Sequence, residues 1–191
     1  MSLLDVRNKI ELIHNSKLKI VAKFQLQTAC RLSEAVGKYA IRKDDLSFTN
    51  YKGHELALFT LRTAKRNGVP RIVALPYSEI WIKELVDYFK TRNRSVFGYG
   101  ESSVRHLLAE ELGNFKYFIE RYSPEKGKVI QAHERTACTH ALRHLRLSEL
   151  VNVYGFDETD LATFAGWKMK GMASRYVTTA WGRYIDKLLR S

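Results

Sequence analysis

A pair of strand-like segments in the middle of the chain constrains the fold more than any other feature. ALFTLRTA (57–64) and VPRIVALP (69–76) are rich in β-branched and apolar residues, and KRNG (65–68) between them is typical of a hairpin tip. Leu46 and Phe48 alternate with polar residues and predict one more strand. We therefore expect a small antiparallel sheet of about three strands, which ends at Pro76.

Helical patterns lie on both sides of this predicted sheet, because apolar residues recur there every three or four positions. Four of these helices are expected to begin at a capping side chain, namely Ser2, Ser16, Ser78 and Asp157. The predicted helices cover residues 2–14, 16–31, 33–39, 78–89, 102–112, 114–122, 139–154, 157–165, 171–180 and 182–190. The predicted fold class is α+β and mostly helical, with a single domain over residues 1–191.

The charge balance of the chain points to a polyanionic partner. The formal net charge is +12 over 191 residues, and the basic residues are spread along the chain. A folded basic face suits DNA, RNA or an acidic membrane surface. No apolar run is long enough for a membrane span, and the N-terminus does not resemble a secretory signal. Two cysteines, Cys30 and Cys138, are expected to be packing residues in a reducing, cytoplasmic location.

The segment THALRHLR (139–146) places an unusual set of polar side chains on a predicted helix. His140 and Arg143 are three positions apart and share a helix face, and His144 follows on the same side. A packed core disfavours such side chains, and a solvated face does not need two imidazoles. The pattern therefore indicates an anionic ligand at this face.

Several motifs occur in an order that resembles the catalytic domain of the tyrosine recombinases, also called phage integrases. The resemblance covers residues 17–190, and Tyr176 follows Trp167 by nine positions, the spacing that this family uses. The motifs are RLSE (31–34), RTAKRNGVPRIVALP (62–76) with Lys65, HALRH (140–144) and FAGW (164–167). The resemblance implies a site-specific recombinase or integrase of a mobile genetic element that acts on double-stranded DNA.

The chemistry of such a site can be stated from the residue types. Arg31 and Arg143 can bind both non-bridging oxygens of a phosphodiester. The Tyr176 hydroxyl can attack the phosphorus and form a covalent 3′-phosphotyrosine, while His140 accepts or shares its proton. Lys65 on the hairpin tip is expected to protonate the leaving 5′ oxygen.

Three further residues complete the expected site. Trp167 is a donor that can support a phosphate oxygen. Glu34 is expected to orient Arg31 or His140 without touching DNA, and His144 to make a structural hydrogen bond. This reaction requires no metal, no ATP and no other cofactor, and the chain contains no GxxxxGK[ST] loop.

Alternatives stay open for individual residues and for the function. Lys43, Lys52 and Arg66 are rivals for the role given to Lys65, and Cys138, His140 and His144 together have a spacing compatible with zinc. The same chemistry also suits a type IB topoisomerase-like or resolvase-like strand transferase. A basic DNA-binding module without catalysis is the third alternative.

The two ends of the chain carry separate expectations. Members of this family usually have an N-terminal helical domain, and only about thirty residues precede Arg31 here, so we expect the catalytic domain alone. In the last predicted helix, Tyr184, Ile185, Leu188 and Leu189 form a narrow apolar stripe. This stripe is expected either to dock on a neighbouring protomer in a DNA-bound assembly or to fold back on its own domain.

Overall fold

The computed structural model describes residues 3–93, 95–123, 128–167 and 181–190. Within these ranges the chain forms eight α-helices and five strands, which confirms an α+β fold with a small antiparallel sheet of three strands. The elements are α1 (Leu3–Glu11), α2 (Ser16–Thr28), α3 (Leu32–Ala35), β1 (Leu46–Tyr51), β2 (His54–Thr63), β3 (Val69–Pro76), α4 (Ile80–Lys90), α5 (Glu101–Leu112), β4 (Phe115–Ser123), β5 (Lys128–Ala137), α6 (Thr139–Asn152), α7 (Glu158–Ala165) and α8 (Gly182–Leu189).

The three-stranded sheet has the order β1-β2-β3 with antiparallel neighbours. At the tip between β2 and β3, a 3-10 turn covers Ala64–Arg66, and Asn67 and Gly68 follow with φ angles of +52° and +82°. Asparagine and glycine tolerate this left-handed region better than other residues, which is why KRNG can turn the chain here. The hairpin predicted from the sequence is confirmed, and Lys65 lies on its turn.

The segment 114–122, which we expected to be a helix, is instead a strand. β4 pairs with β5 as an antiparallel hairpin that begins with Phe115 opposite Ala137. FKYFIERY is rich in aromatic residues, and aromatic residues favour strands where a partner strand is present. That partner, KVIQAHERTA, is a separate segment later in the chain, so a local pattern could not reveal the pairing.

Helix α2 lies at the centre of the molecule and leads directly to Arg31 and α3. Its Phe24 ring packs at 5.5 Å from Phe59 of β2 and at 5.7 Å from Phe89 of α4, measured between ring centroids. On another side α2 packs against α6, where Gln25 Nε2 donates to the carbonyl oxygen of Thr139 at 2.9 Å. The C-terminal end of α2 therefore brings the segment that follows it close to the first turn of α6.

Helix caps follow the sequence expectations in part. The Asp157 cap of α7 is confirmed, since its side chain accepts from the Asp160 N–H at 2.8 Å. For α2 the cap is Asn15, whose Oδ1 accepts from the Leu18 N–H, and Ser16 is the first helical residue. The cap position of α4 is Glu79, which makes no side-chain cap and lies one residue after the predicted Ser78. Ser2 and the helix expected over 171–180 lie outside the described residues.

The apolar stripe of α8 is folded back on its own domain. Tyr184, Ile185 and Leu188 are buried, and the Tyr184 ring packs at 5.3 Å from the Phe164 ring of α7. The Tyr184 hydroxyl accepts from the Ala74 N–H of β3 at 3.0 Å. Of the two arrangements expected for this stripe, the described chain contains the folded-back one. Within the described ranges, no helix combines the length and apolarity needed to cross a bilayer.

Candidate active site

One cavity of about 380 Å³ gathers most of the side chains singled out from the sequence. Its polar wall comes from four separate segments of the chain: the start of α3, the β2–β3 hairpin tip, α6 and the residue after the α7 C-terminus. The predicted site residues that line it are Arg31, Lys65, His140, Arg143, His144 and Trp167. Leu147, Val151 and Leu161 contribute apolar walls. The cavity thus combines cations with apolar surface.

Glu34 lies behind the cavity and fixes Arg31. Its carboxylate is fully buried and accepts from both the backbone N–H and the Nη1 of Arg31 at 3.1 Å. It also accepts from the Ala64 N–H at 3.0 Å, on the turn that carries Lys65. Burial raises the pKa of Glu34, but Arg71 and these N–H donors outweigh burial and hold the pKa below its usual value. Glu34 therefore remains a carboxylate and contacts Arg31, one of the two partners expected for it.

Arg143 is held between the ends of two helices. Its Nη1 donates to the carbonyl oxygen of Ala29 after α2, and its Nη2 donates to that of Ala165 in α7 at 3.2 Å. Helix C-termini carry unpaired carbonyl groups and partial negative charge, so they are suitable partners for a guanidinium. Burial lowers the pKa of Arg143 to about 10, with help from the Arg31 and Arg71 cations. The side chain still carries its positive charge at neutral pH.

The histidines of α6 differ in their surroundings. His140 is exposed at the first turn of the helix and lines the cavity beside Arg143. His144 is partly buried one turn later, and burial lowers its pKa below the usual value. His144 is therefore neutral at physiological pH.

Lys65 is the lysine of the hairpin tip, and it lines the cavity. Among its rivals, Lys52 lies on the β1–β2 turn and its Nζ is 2.8 Å from Asp186 Oδ2 of α8. That contact draws Lys52 towards a different part of the surface. The geometry therefore favours Lys65 over Lys52 for a role in this cavity.

Gly166, the residue that follows α7, lies very close to the side chains of Thr63 and Arg71, and Trp167 comes next in the chain. Gly166 has a φ angle of +70°, and a Cβ atom built on it would lie 2.6 Å from Thr63 Oγ1 and 2.7 Å from Arg71 Cδ. Only glycine fits such a position without a shift of its neighbours. Trp167 then lines the cavity with 40% of its surface exposed. Tyr176, the predicted nucleophile, lies outside the described residues.

Arg71 is a residue of this region that the sequence reasoning missed. It lies on β3, its side chain is only 6% exposed, and its Nη1 donates to Glu34 Oε2 at 2.9 Å. The strand pattern contained a signal, because Arg71 alternates in phase with Val73 and Leu75, which face the core. An arginine at an inward position of a strand requires a buried partner.

The zinc alternative involves Cys138, which is buried next to α5. Its thiol donates to the carbonyl oxygen of Leu108 at 3.3 Å, and burial raises its pKa to about 12. Over the part of the chain that the structure describes, no cluster of three or more His, Cys, Asp or Glu side chains is arranged to hold a metal ion.

Comparison with known proteins yields no match to a family model, to a curated protein or to a solved structure. The resemblance to tyrosine recombinases therefore depends on the motif residues of this chain. The chemistry of the cavity follows from the side chains that line it and from the contacts that hold them in place.

Proposed function

We propose that this protein cleaves and rejoins DNA strands through a covalent 3′-phosphotyrosine, as a site-specific recombinase or integrase. The observation that carries the proposal is the convergence of Arg31, Lys65, His140, Arg143 and Trp167 on one cavity. These side chains come from four segments far apart in the sequence, and each supplies a group that phosphoryl transfer to a tyrosine requires.

The two arginines suit the phosphate. Arg31 and Arg143 present guanidinium groups that can bind the two non-bridging oxygens and stabilise the charge of the transition state. Both groups are held by hydrogen bonds before any substrate arrives: Arg31 by Glu34, and Arg143 by the carbonyl oxygens of Ala29 and Ala165. Preorganised donors of this kind lower the barrier because they need little rearrangement during the reaction.

Bond making and proton transfer are assigned to four groups. The Tyr176 oxygen forms a bond to phosphorus while the bond from phosphorus to the 5′ oxygen breaks. His140 takes the tyrosine proton, and Lys65 supplies a proton to the departing 5′ oxygen. Trp167 donates its indole N–H towards a phosphate oxygen. The products of this step are a 3′-phosphotyrosine and a free 5′-hydroxyl, and attack by a 5′-hydroxyl reverses the step.

A trapping experiment tests this function directly. A nicked duplex that loses its 5′-hydroxyl fragment should accumulate a covalent protein–DNA adduct, and peptide mapping should find the DNA on Tyr176. Tyr176→Phe should bind DNA nearly as well as the wild type and form no adduct. An adduct on another residue would contradict the assignment of the nucleophile, and DNA binding without any adduct would favour a non-catalytic module. Relaxation of supercoils without a recognition site would favour the topoisomerase-like alternative.

A further inference from the structure

Arg71 is a buried cation that belongs to the candidate site without lining its cavity. Besides its ion pair with Glu34, its Nε donates to the carbonyl oxygen of Phe164 at 2.9 Å. Its Nη1 also lies 3.4 Å from Thr63 Oγ1. Three segments thus meet at one guanidinium: α3 through Glu34, the β2–β3 hairpin through Thr63, and the C-terminus of α7 through Phe164.

The ion pair between Arg71 and Glu34 affects the charge balance of the cavity. The guanidinium groups of Arg31 and Arg71 both donate to the buried Glu34 carboxylate, and the charge of Glu34 also raises the pKa of Arg143 against the lowering effect of burial. With Arg71 in place, Glu34 is balanced by a cation that does not line the cavity. Glu34 can then orient Arg31 by hydrogen bonds and still leave the two cavity arginines with net positive charge for an anion.

The contacts of Arg71 and Glu34 also fix the chain next to Lys65 and Trp167. Glu34 accepts from the Ala64 N–H, one residue before Lys65, and Arg71 holds Phe164, three residues before Trp167. Gly166 packs directly on Arg71 and Thr63, where no Cβ atom fits. A change at residue 71 would therefore loosen the hairpin tip and the end of α7 together.

We infer that Arg71 is a positioning residue, which holds Glu34, the hairpin turn of Lys65 and the α7 end before Trp167 in one arrangement. Its effect on catalysis rests on the proposed function, whereas its effect on local structure does not. The two can therefore be tested separately with the same variants. Arg71→Met removes the charge and the hydrogen bonds, and Arg71→Lys keeps the charge without the planar fork.

Arg62→Met is a matched control. Arg62 lies on the neighbouring strand β2 and pairs with the carboxylate of Asp45 through two contacts of 2.7 Å, away from the cavity. Like Arg71, it is an arginine of the central sheet with an acidic partner. Any change in stability that follows from losing an arginine of the sheet should therefore appear in both variants, whereas a change specific to the site should appear only in Arg71→Met.

The local test is amide hydrogen exchange, which needs no activity. In Arg71→Met, the Ala64 amide should exchange about tenfold faster relative to the Phe59 amide, because its charged acceptor is no longer held in place. The Trp167 amide should accelerate with it, and Arg71→Lys should lie between wild type and Arg71→Met. Arg62→Met should leave both ratios unchanged. Equal acceleration of Ala64, Trp167 and Phe59 would mean a loss of global stability only, and the inference would be wrong.

The catalytic test uses the same proteins on a cleavable duplex. Arg71→Met should cleave about 100-fold more slowly at saturating DNA, since a small misplacement of catalytic groups has an effect of that order. Its dissociation constant for DNA should change far less. Arg71→Met combined with Glu34→Gln should be no slower than the slower single variant, because both act through the same carboxylate.

The outcomes separate the two proposals. Altered exchange ratios in a protein whose wild type forms no adduct would support the positioning role and contradict the proposed function. An active wild type with an equally active Arg71→Met variant would support the function and overturn the catalytic consequence of Arg71.

Discussion

Glu34 and Arg143 are both buried ionisable side chains, and each keeps its charge because of its hydrogen-bonding partners. Glu34 accepts from Arg31, Arg71 and the Ala64 N–H, which outweigh the unfavourable effect of burial. The pKa of Arg143 is lowered by burial and by neighbouring cations but stays well above neutral pH. At the scale of the residue, the candidate site is therefore a set of fixed charges.

The lowered pKa of Glu34 predicts a pH dependence of stability. A carboxyl group whose pKa is lower in the folded state stabilises the fold above its unfolded pKa, and this contribution disappears as the pH falls through the folded pKa. We expect the free energy of unfolding to decrease as the pH falls below about 5, and less steeply in Glu34→Gln than in the wild type. Urea unfolding at several pH values measures both slopes, and parallel slopes would contradict the prediction.

Replacement of Arg31 tests the phosphate-binding role. Arg31→Ala should reduce the rate of DNA cleavage about 100- to 1,000-fold, which is the usual effect of removing one donor to a developing oxyanion. Single-turnover cleavage at saturating DNA measures the rate. Arg62→Ala is the control, since Arg62 pairs with Asp45 and does not line the cavity that contains Arg31. If Arg31→Ala cleaved DNA at the wild-type rate, Arg31 would not bind the phosphate in the transition state.

Lys65 can be tested as a general acid through the leaving group. Lys65→Ala should cleave normal DNA slowly but should regain most of its rate when sulfur replaces the 5′ oxygen, because a thiolate leaves without a proton. The comparison of the two substrates in one kinetic assay provides the measurement, with Lys52→Ala on the β1–β2 turn, at the opposite end of β2, as the control. Equal losses on both substrates would reassign Lys65 to charge stabilisation.

At the scale of elements, the end of α7 is the point where several parts of the site meet. Its last carbonyl groups are bound by Arg71 and Arg143, and the chain then passes Thr63 at Gly166 before it reaches Trp167. Helix α8 packs on the other side of the same region through Tyr184 and Phe164. Removal of α8 would therefore expose core residues. The apolar residues of α8 recur at helical spacing because that face of the helix is buried against the domain.

Gly166 offers a matched pair of substitutions. Gly166→Ala and Gly155→Ala both place alanine in the left-handed region, at φ angles of +70° and +66°, which costs about 1–3 kcal/mol in each case. Only Gly166 has neighbours within 3 Å of the added Cβ atom, whereas none lies within 4 Å at Gly155. Gly166→Ala should therefore lower the free energy of unfolding more than Gly155→Ala. Chemical denaturation of both variants checks this, and equal losses would mean that the contact with Thr63 and Arg71 relaxes freely.

At the scale of the whole molecule, a net charge of +12 is the dominant property. We propose that this charge serves DNA binding, and electrostatic binding of DNA releases counterions. The logarithm of the binding constant should then fall linearly with the logarithm of salt concentration, with a slope of about 0.9 per phosphate contacted. Titrations at several salt concentrations with a labelled duplex measure the slope, and a flat dependence would show that the charge is not used on DNA. Self-association on DNA stays a prediction, and α8 as folded here does not offer its apolar stripe for it.

The sequence by itself determined the features that depend on local chemistry. The β2–β3 hairpin follows from KRNG between two apolar strands, and the α7 cap follows from Asp157. Arg31, Lys65, His140, Arg143 and Trp167 are singled out from the sequence because their motifs resemble those of the tyrosine recombinases, and the structure places them around one cavity.

Only the tertiary structure decided the features that depend on a distant partner. β4 is a strand because β5 pairs with it, Arg71 is buried because Glu34 and Phe164 O bind it, and α8 folds back because β3 and α7 accept its apolar face. A helix cap or a tight turn is stabilised by neighbours within a few residues, so its signal is local. A strand pairing or a buried ion pair gains its free energy from groups far apart in the chain, and no single segment carries both halves of that signal.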